Sequence, residues 1–147
     1  MKLSEILDEK GRTVHTARHN ESVSVAIQKL VANNIGALAI LDENDQLVGV
    51  FSERDILRLI SVTSDKLASF KIADYMSREV VSGDSEDDVE YSQSIMHSSR
   101  IRHLPVVNQQ GRLVGMISQG DLVKARLDQV EFHNVQMENL VIGKYPA

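Results

Sequence analysis

The chain matches itself. Residues 35–57 (IGALAILDENDQLVGVFSERDIL) align without a gap on residues 101–123 (IRHLPVVNQQGRLVGMISQGDLV), 66 positions later. Seven positions are identical: Ile35/Ile101, Leu38/Leu104, Leu47/Leu113, Val48/Val114, Gly49/Gly115, Ser52/Ser118 and Asp55/Asp121. Chance readily matches apolar residues, but rarely also a Gly, a Ser and an Asp in one ungapped frame. The chain therefore reads as a tandem duplication, two copies of one supersecondary unit. At 147 residues it is long enough to bury a core without disulfide or metal staples.

Each copy reads the same way. An apolar run (residues 38–41; 104–107) predicts a short buried strand, a polar turn follows (42–45; 108–111), and a second apolar run (47–51; 113–117) predicts its hairpin partner. Ser52 and Ser118 then stand at helix N-cap positions, each with an Asp three residues on in the first turn. Upstream, Val23, Ala26, Ile27, Leu30 and Val31 have the spacing of one helix face, and Val89, Ser92 and Met96 take that face in the second copy. The acidic run at 84–88 reads as a cap and a dipole-compatible first turn rather than a metal site. One more extended stretch precedes each helix, at 13–16 and 79–82. The expected fold is α/β: β-α-β-β-α twice, over 10–62 and 73–127, with residues 61–75 as the connection, an N-terminal helix and a C-terminal helical extension over 128–147. Val123, Leu127, Val130, Met137 and Val141 form a stripe along that last helix, which packs either on Ile6 and Leu7 or on a second chain.

Composition removes whole classes of function. Cysteine is absent, which excludes disulfides, thiolate catalysis and Cys-ligated metals and fits a reducing compartment. Lys and Arg number 16 against 21 Asp and Glu, a net charge of −5, so the basic footprint of sequence-independent nucleic-acid binding is missing. Aromatics are 4% with no Trp, too few for base-stacking platforms. No apolar run approaches a membrane span, and MKLSEILDEKGR has no signal-peptide core. The expectation is a cytoplasmic protein with no nucleic-acid or membrane partner. His15, His19, His97 and His133 read as surface residues and no metal is expected; Asp42-Glu43-Asn44-Asp45 lacks the Gly and closing Glu of a calcium loop and fits a hairpin turn.

The segments LVGVFSERD and RIRHLPVV…GRLVGMISQGD resemble the cystathionine-beta-synthase (CBS) domain, and the tandem over residues 10–127 resembles a Bateman module. The stretch N-I-G-A-L, Asn34 to Leu38, and the S-E-R-D helix start are similar to those of small stand-alone CBS-pair proteins of bacteria and plant organelles. The resemblance implies two repeats packed about a pseudo-twofold axis, two clefts between them, and adenosine nucleotides as ligands: AMP foremost, with ADP, ATP or NAD as alternatives. It also implies regulation of another protein rather than chemistry.

The repeated Ser-x-x-Asp suits such a ligand. An ionised carboxylate one turn into a helix accepts two hydrogen bonds, which matches the two hydroxyls of a ribose. Free N–H groups and a Ser hydroxyl at the helix start suit a phosphate. The resemblance implies clefts that each mix Ser-x-x-Asp of one repeat with strand residues of the other. The first would join Ser52, Arg54 and Asp55 to Val80, Val81, Arg102 and His103. Arg102 and His103 match the Arg-His pair that meets phosphates in the gamma subunit of AMP-activated protein kinase. The second cleft has Ser118 and Asp121, but Gly120 replaces Arg54, and Gly36 and Ala37 replace Arg102 and His103. It is expected to keep a ribose clamp and lose its phosphate clamp. Arg100 reads as part of a solvated face.

The expected function is an adenosine-nucleotide-sensing regulatory module, a homodimer acting on a separate protein in trans and not an enzyme. No nucleophile–base signature, P-loop or Rossmann glycine motif is present. The alternatives are a structural interaction protein with vestigial clefts, and a small nucleotide hydrolase using the arginines to stabilise phosphoryl charge.

Overall fold

The computed structural model describes residues 1–63 and 66–141. The first half holds α1 (Leu3–Lys10), β1 (Thr16–Arg18), α2 (Val23–Asn33), β2 (Ala37–Leu41), β3 (Leu47–Ser52) and α3 (Glu53–Val62). A short 3-10 turn (Leu67–Ser69) and α4 (Ile72–Tyr75) lead into β4 (Gly83–Asp84), α5 (Val89–Ser99), β5 (His103–Val107), β6 (Leu113–Ser118) and α6 (Gln119–Val141). Each half carries a three-stranded sheet, ordered β1-β2-β3 and β4-β5-β6, with the first strand parallel and the hairpin antiparallel. The central strand is buried on both faces, as Leu38, Ala39 and Ile40 show, so it reads as a continuous apolar run rather than an alternating one.

The hairpin turns explain the polar tetrads. Asp42 Oδ1 accepts the backbone N–H groups of Asn44 at 2.8 Å and Gln46 at 3.0 Å. Asn108 does the same for Gln110 and Arg112, both at 3.0 Å. These are Asx turns, in which a short side chain substitutes for the backbone. The acidic run before α5 is also a turn: Asp84 Oδ1 accepts from the Glu86 N–H and Asp87 Oδ2 from the Asp84 N–H, both at 2.9 Å. Its remaining charges hold the N-terminus, with Lys2 on Glu86 at 2.7 Å and the Met1 amine on Asp88 at 3.5 Å.

The first strands lie downstream of their expected places. Pairing with β2 and β5 begins at Thr16 and Gly83, not over 13–16 and 79–82. Val80 and Val81 therefore precede β4 instead of forming it. The parallel ladder there is two residues long because the turn at 84–88 begins at once.

Each half is completed by a helix that precedes the other half in sequence. Leu3, Ile6 and Leu7 of α1 are buried with Val89, Met96, Leu104, Ile117 and Leu122 of the second repeat. Ile72 and Met76, from α4 and the residue after it, are buried with Val23, Leu38, Phe51 and Leu59 of the first. Glycine makes both seats: a Cβ on Gly49 would come within 2.5 Å of the Met76 sulfur, and one on Gly115 within 2.5 Å of a Leu7 methyl. Residues 61–75 are thus more than a connection, since α4 is part of the first core. The exchange and the matching sheets give the chain its pseudo-twofold symmetry.

Two apolar expectations change. In α2, Val23, Ala26 and Leu30 are buried but Val31 is 76% exposed, on the edge of the helix stripe that faces solvent. In α6, the residues that pack with Ile6 and Leu7 are Leu122 and Ala125. Val123, Leu127, Val130 and Met137 lie on a neighbouring face and stay exposed. The Val141 side chain lies outside the described residues.

Candidate functional site

A cleft of about 580 Å³ opens between the halves, a volume suited to a small organic ligand. The start of α3 brings Ser52, Arg54 and Asp55 to it, and the start of β5 brings Arg102 and His103. Residues of both repeats therefore meet, as the crossed arrangement requires. The helix starts are hung symmetrically: the Glu53 N–H donates to the Gly36 carbonyl at 3.1 Å, and the Gln119 N–H to the Arg102 carbonyl at 2.9 Å. Val81 lines the cleft, whereas Val80 faces a smaller cavity of about 370 Å³ beside Tyr91. Val81 borders both cavities, and Val80 is absent from the lining of the larger one.

Asp55 is 6% exposed. Its Oδ2 accepts the Ser52 backbone N–H at 2.9 Å and the Ser52 hydroxyl at 3.2 Å, while the Ser77 hydroxyl reaches Oδ1 at 3.4 Å. A carboxylate offers about four lone-pair sites, so Oδ1 keeps acceptor capacity beside a long and therefore weak contact. Ser77 is a cleft residue that the repeat does not announce. Its backbone pairs with Val50 on β3, which fixes its hydroxyl next to Asp55.

Four guanidiniums line this cleft: Arg54, Arg58, Arg100 and Arg102. None makes an ion pair or a side-chain hydrogen bond among the described residues. Outside the cleft, Arg12 pairs with Asp8, Arg18 with Asp45 and Arg126 with Gln93, while the Arg112 side chain has no partner among the described residues. Glu53, Asp55 and Glu79 are the cleft's carboxylates, so cations outnumber anions there although the chain's net charge is −5. Arg58 lies one helical turn beyond Arg54 on the same face of α3, a spacing visible in the sequence. Arg100 is exposed, as expected of a solvated face, and also lines the cleft. It caps α5 with φ 55°, in the left-handed region, where the first repeat has Asn34 at φ 51°. Asn tolerates that conformation, whereas a long side chain is strained there. Such strain concentrates at functional positions.

His103 stands opposite α3. A Cβ on Gly36 would lie 3.3 Å from its ring, so the glycine gives the imidazole its seat. Burial pushes the His103 pKa down, the Glu53 carboxylate pulls it partly back, and Lys10 and Arg102 push it down further against Asp121; the net shift is below the ordinary histidine value. The unliganded ring is neutral at neutral pH.

The second Ser-x-x-Asp forms the same helix start. The Ser118 N–H donates to Asp121 Oδ2 at 2.8 Å and the Asp121 N–H to Ser118 Oγ at 3.1 Å, a reciprocal cap. Its carboxylate, however, carries Lys10 Nζ at 2.6 Å. Burial raises the Asp121 pKa, but hydrogen bonds from Lys10 and Ser118 lower it more, and the group ends below its usual value. The expected free ribose clamp at Asp121 is therefore covered by a cation from α1. The repeat did not reveal this, because Lys10 lies before the matched segments. His15 and His19, four apart, flank the extended strand β1 rather than sharing a helix face, and His19 Nε2 lies 3.1 Å from Glu43.

Comparison with known proteins agrees with this architecture. The family described as CBS domain matches residues 5–62 and 72–128. The CBS domain-containing protein CBSX3, mitochondrial, of Arabidopsis thaliana is 30% identical over 146 residues, covering 94% of this chain and 69% of that protein. The CBS-domain containing protein ATU1752 from Agrobacterium tumefaciens superposes with a TM-score of 0.80 at 33% identity, covering 86% of this chain and 99% of its own. PAE2072 from Pyrobaculum aerophilum, a CBS domain protein solved in complex with AMP, has a TM-score of 0.79 at 26% identity and covers 91% of this chain and 99% of its own.

Proposed function

The chain belongs to the CBS domain family, and we propose that it is a non-catalytic adenosine-nucleotide sensor. It binds AMP in preference to ADP, ATP or NAD in the cleft of Ser52, Arg54, Asp55, Val81, Arg102 and His103, and a separate protein reads its occupancy. One observation carries this reading: four arginines with no side-chain partner among the described residues and one buried carboxylate line a single cleft of about 580 Å³. The carboxylate offers acceptors to ribose hydroxyls, and the guanidiniums offer planar donor forks to a phosphate. Unpaired cations repel one another, and an anion between them relieves that repulsion. The AMP complex of the Pyrobaculum relative supports the same ligand class.

Ligand binding shifts the relative stability of two arrangements of the halves, to the extent that the ligand prefers one. The partner acts in trans, and the chain works as a homodimer through the exposed face of α6. Among the described residues no helix is long and apolar enough to cross a membrane; with the absence of Cys, a cytoplasmic location fits.

Isothermal titration with AMP and with adenosine is the test. Adenosine keeps the Asp55 contacts and lacks the anion, so it is expected to bind at least about tenfold more weakly, the worth of one charge-assisted hydrogen bond or more. Equal affinities would return the arginines and His103 to structural roles. Conversion of ATP or AMP to product during incubation would favour the hydrolase.

A further inference from the structure

We propose that Lys10 is an internal occupant of the second Ser-x-x-Asp clamp, so that each chain takes one nucleotide and keeps a second, latent site closed. This rests on the nucleotide reading of the first cleft. The repeat supplies the comparison. Val50 and Met116 are equivalent positions, as are Asp55 and Asp121. In the first half, Ser77 serves both: its backbone N–H donates to the Val50 carbonyl at 2.9 Å and its hydroxyl approaches Asp55 at 3.4 Å. In the second half, one ammonium takes over both contacts. Lys10 Nζ donates to the Met116 carbonyl and to Asp121 Oδ2, each at 2.6 Å.

The substitution changes the chemistry of the clamp. A hydroxyl at 3.4 Å leaves Asp55 Oδ1 with room to accept from a ligand. An ammonium at 2.6 Å makes a charge-assisted bond, which is stronger and consumes the acceptor a ribose would use. The Asp121 side chain is 25% exposed and that of Lys10 35%, so a ribose approaching Asp121 must displace the ammonium. Gly120 offers no arginine to repay that displacement, whereas Arg54 holds the same position in the first cleft.

The position of Lys10 is built into the fold. Leu3, Ile6 and Leu7 anchor α1 in the second core. Helix α4 ends at Tyr75, leaving Ser77 to bridge β3 through its backbone, while α1 continues to Lys10 before stopping at Gly11. Gly11 closes the helix at φ 103° with its N–H on the Leu7 carbonyl at 2.8 Å. Lys10 thus sits in the last turn, where a cation also favours the helix dipole.

The test pairs Lys10→Ser, which copies the first cleft, with Lys10→Arg, which keeps the cation. Titrated with AMP, the wild type and Lys10→Arg are expected to bind one equivalent per chain. Lys10→Ser is expected to bind two, its second site about tenfold tighter than any residual second binding in the wild type. One equivalent in Lys10→Ser, or two in the wild type, would overturn the proposal and leave the first site standing. A readout without nucleotide keeps the two readings separate. The Asp121 carboxyl, followed by carbon NMR, is expected to titrate below the ordinary carboxylate range in the wild type and to move back up in Lys10→Ser. An ordinary Asp121 midpoint in the wild type would refute occupancy by Lys10 whatever AMP does. Failure of the wild type to bind AMP, with Asp121 still low, would refute the sensor and not the closed clamp. Thermal unfolding of each variant establishes that α1 remains docked.

Discussion

Asp55 and Asp121 hold equivalent places in the two repeats, one turn into equivalent helices, each accepting the backbone N–H of a cap serine at 2.9 and 2.8 Å. Beyond that cap they part. Asp55 looks into a cleft lined by four guanidiniums that have no partner among the described residues. Asp121 is covered by one lysine, and the positions equivalent to Arg54, Arg102 and His103 hold Gly120, Gly36 and Ala37. What the copies share is what the fold needs: the Asx turns, the glycines under Met76 and Leu7, and the caps. What they do not share is charge in the cleft, where the fold makes no demand. A duplicated scaffold can therefore keep two seats and furnish only one.

The largest expected effect breaks this comparison directly. Asp55→Ala removes a charged partner from the proposed ribose site and should weaken AMP binding by about ten- to a hundredfold, from about 1.5–3 kcal/mol for a hydrogen bond to a charged group. Asp121→Ala, already committed to Lys10, should change affinity by less than about threefold. Both variants lose the carboxylate that accepts the cap serine's N–H, and Asp121→Ala also loses the Lys10 pair, so the smaller loss of affinity at Asp121 is not the result of a smaller structural change. Titration of both proteins decides it, and equal losses of affinity would end the asymmetry.

The second effect concerns the final helices. Helix α3 stops at Val62, with Leu57, Ile60 and Val62 exposed, while α6 runs to Val141 and exposes Val123, Leu127, Val130, Phe132, Val135 and Met137. So much apolar surface on one helix is uncommon on a monomer. Sedimentation of the full chain at micromolar concentration should show a dimer, and a chain ending at Leu127 should shift towards monomer. A monomeric full chain would separate the α6 stripe from self-association.

Much of this was legible in the sequence. A Gly, a Ser and an Asp in one frame betray the duplication because each answers a backbone demand: close approach, capping, a first-turn charge. The joining of Ser52, Arg54 and Asp55 to Arg102 and His103 followed from the family resemblance, not from periodicity. Three features were not legible for physical reasons. Strand pairing starts at Gly83 because β5 meets the chain there, a tertiary fact, and Val80 lies before β4 and outside the lining of the cleft. Helix α1 packs on the distant repeat, and nothing in Leu3, Ile6 and Leu7 names the partner. Arg100 is exposed, as its residue type suggests, but its place at the rim of the cleft is a tertiary fact.

The smallest expected effect sharpens the comparison at His103, whose counterpart is Ala37. Burial first, with Lys10 and Arg102, holds the unliganded imidazole below its ordinary pKa against the pull of Glu53 and Asp121. The folded protein thus binds fewer protons than the unfolded chain, and this group's contribution to stability falls as pH drops through the ordinary histidine value of about 6.5 towards the lower folded value. A phosphate placed beside the ring favours the imidazolium and raises its pKa in the complex. Binding then takes up a proton, and affinity rises over the same interval in which unliganded stability falls. The second ionisation of the phosphate, near pH 6, works against this rise, but equally in wild type and variant. The ratio of AMP affinities, wild type over His103→Gln, should therefore grow about threefold between about pH 8 and pH 6, while the unliganded variant loses less stability than the wild type on acidification. Titrations in buffers of different ionisation enthalpy measure the proton directly. Equal uptake in the two proteins would place His103 away from the anion and leave the arginines to hold it alone.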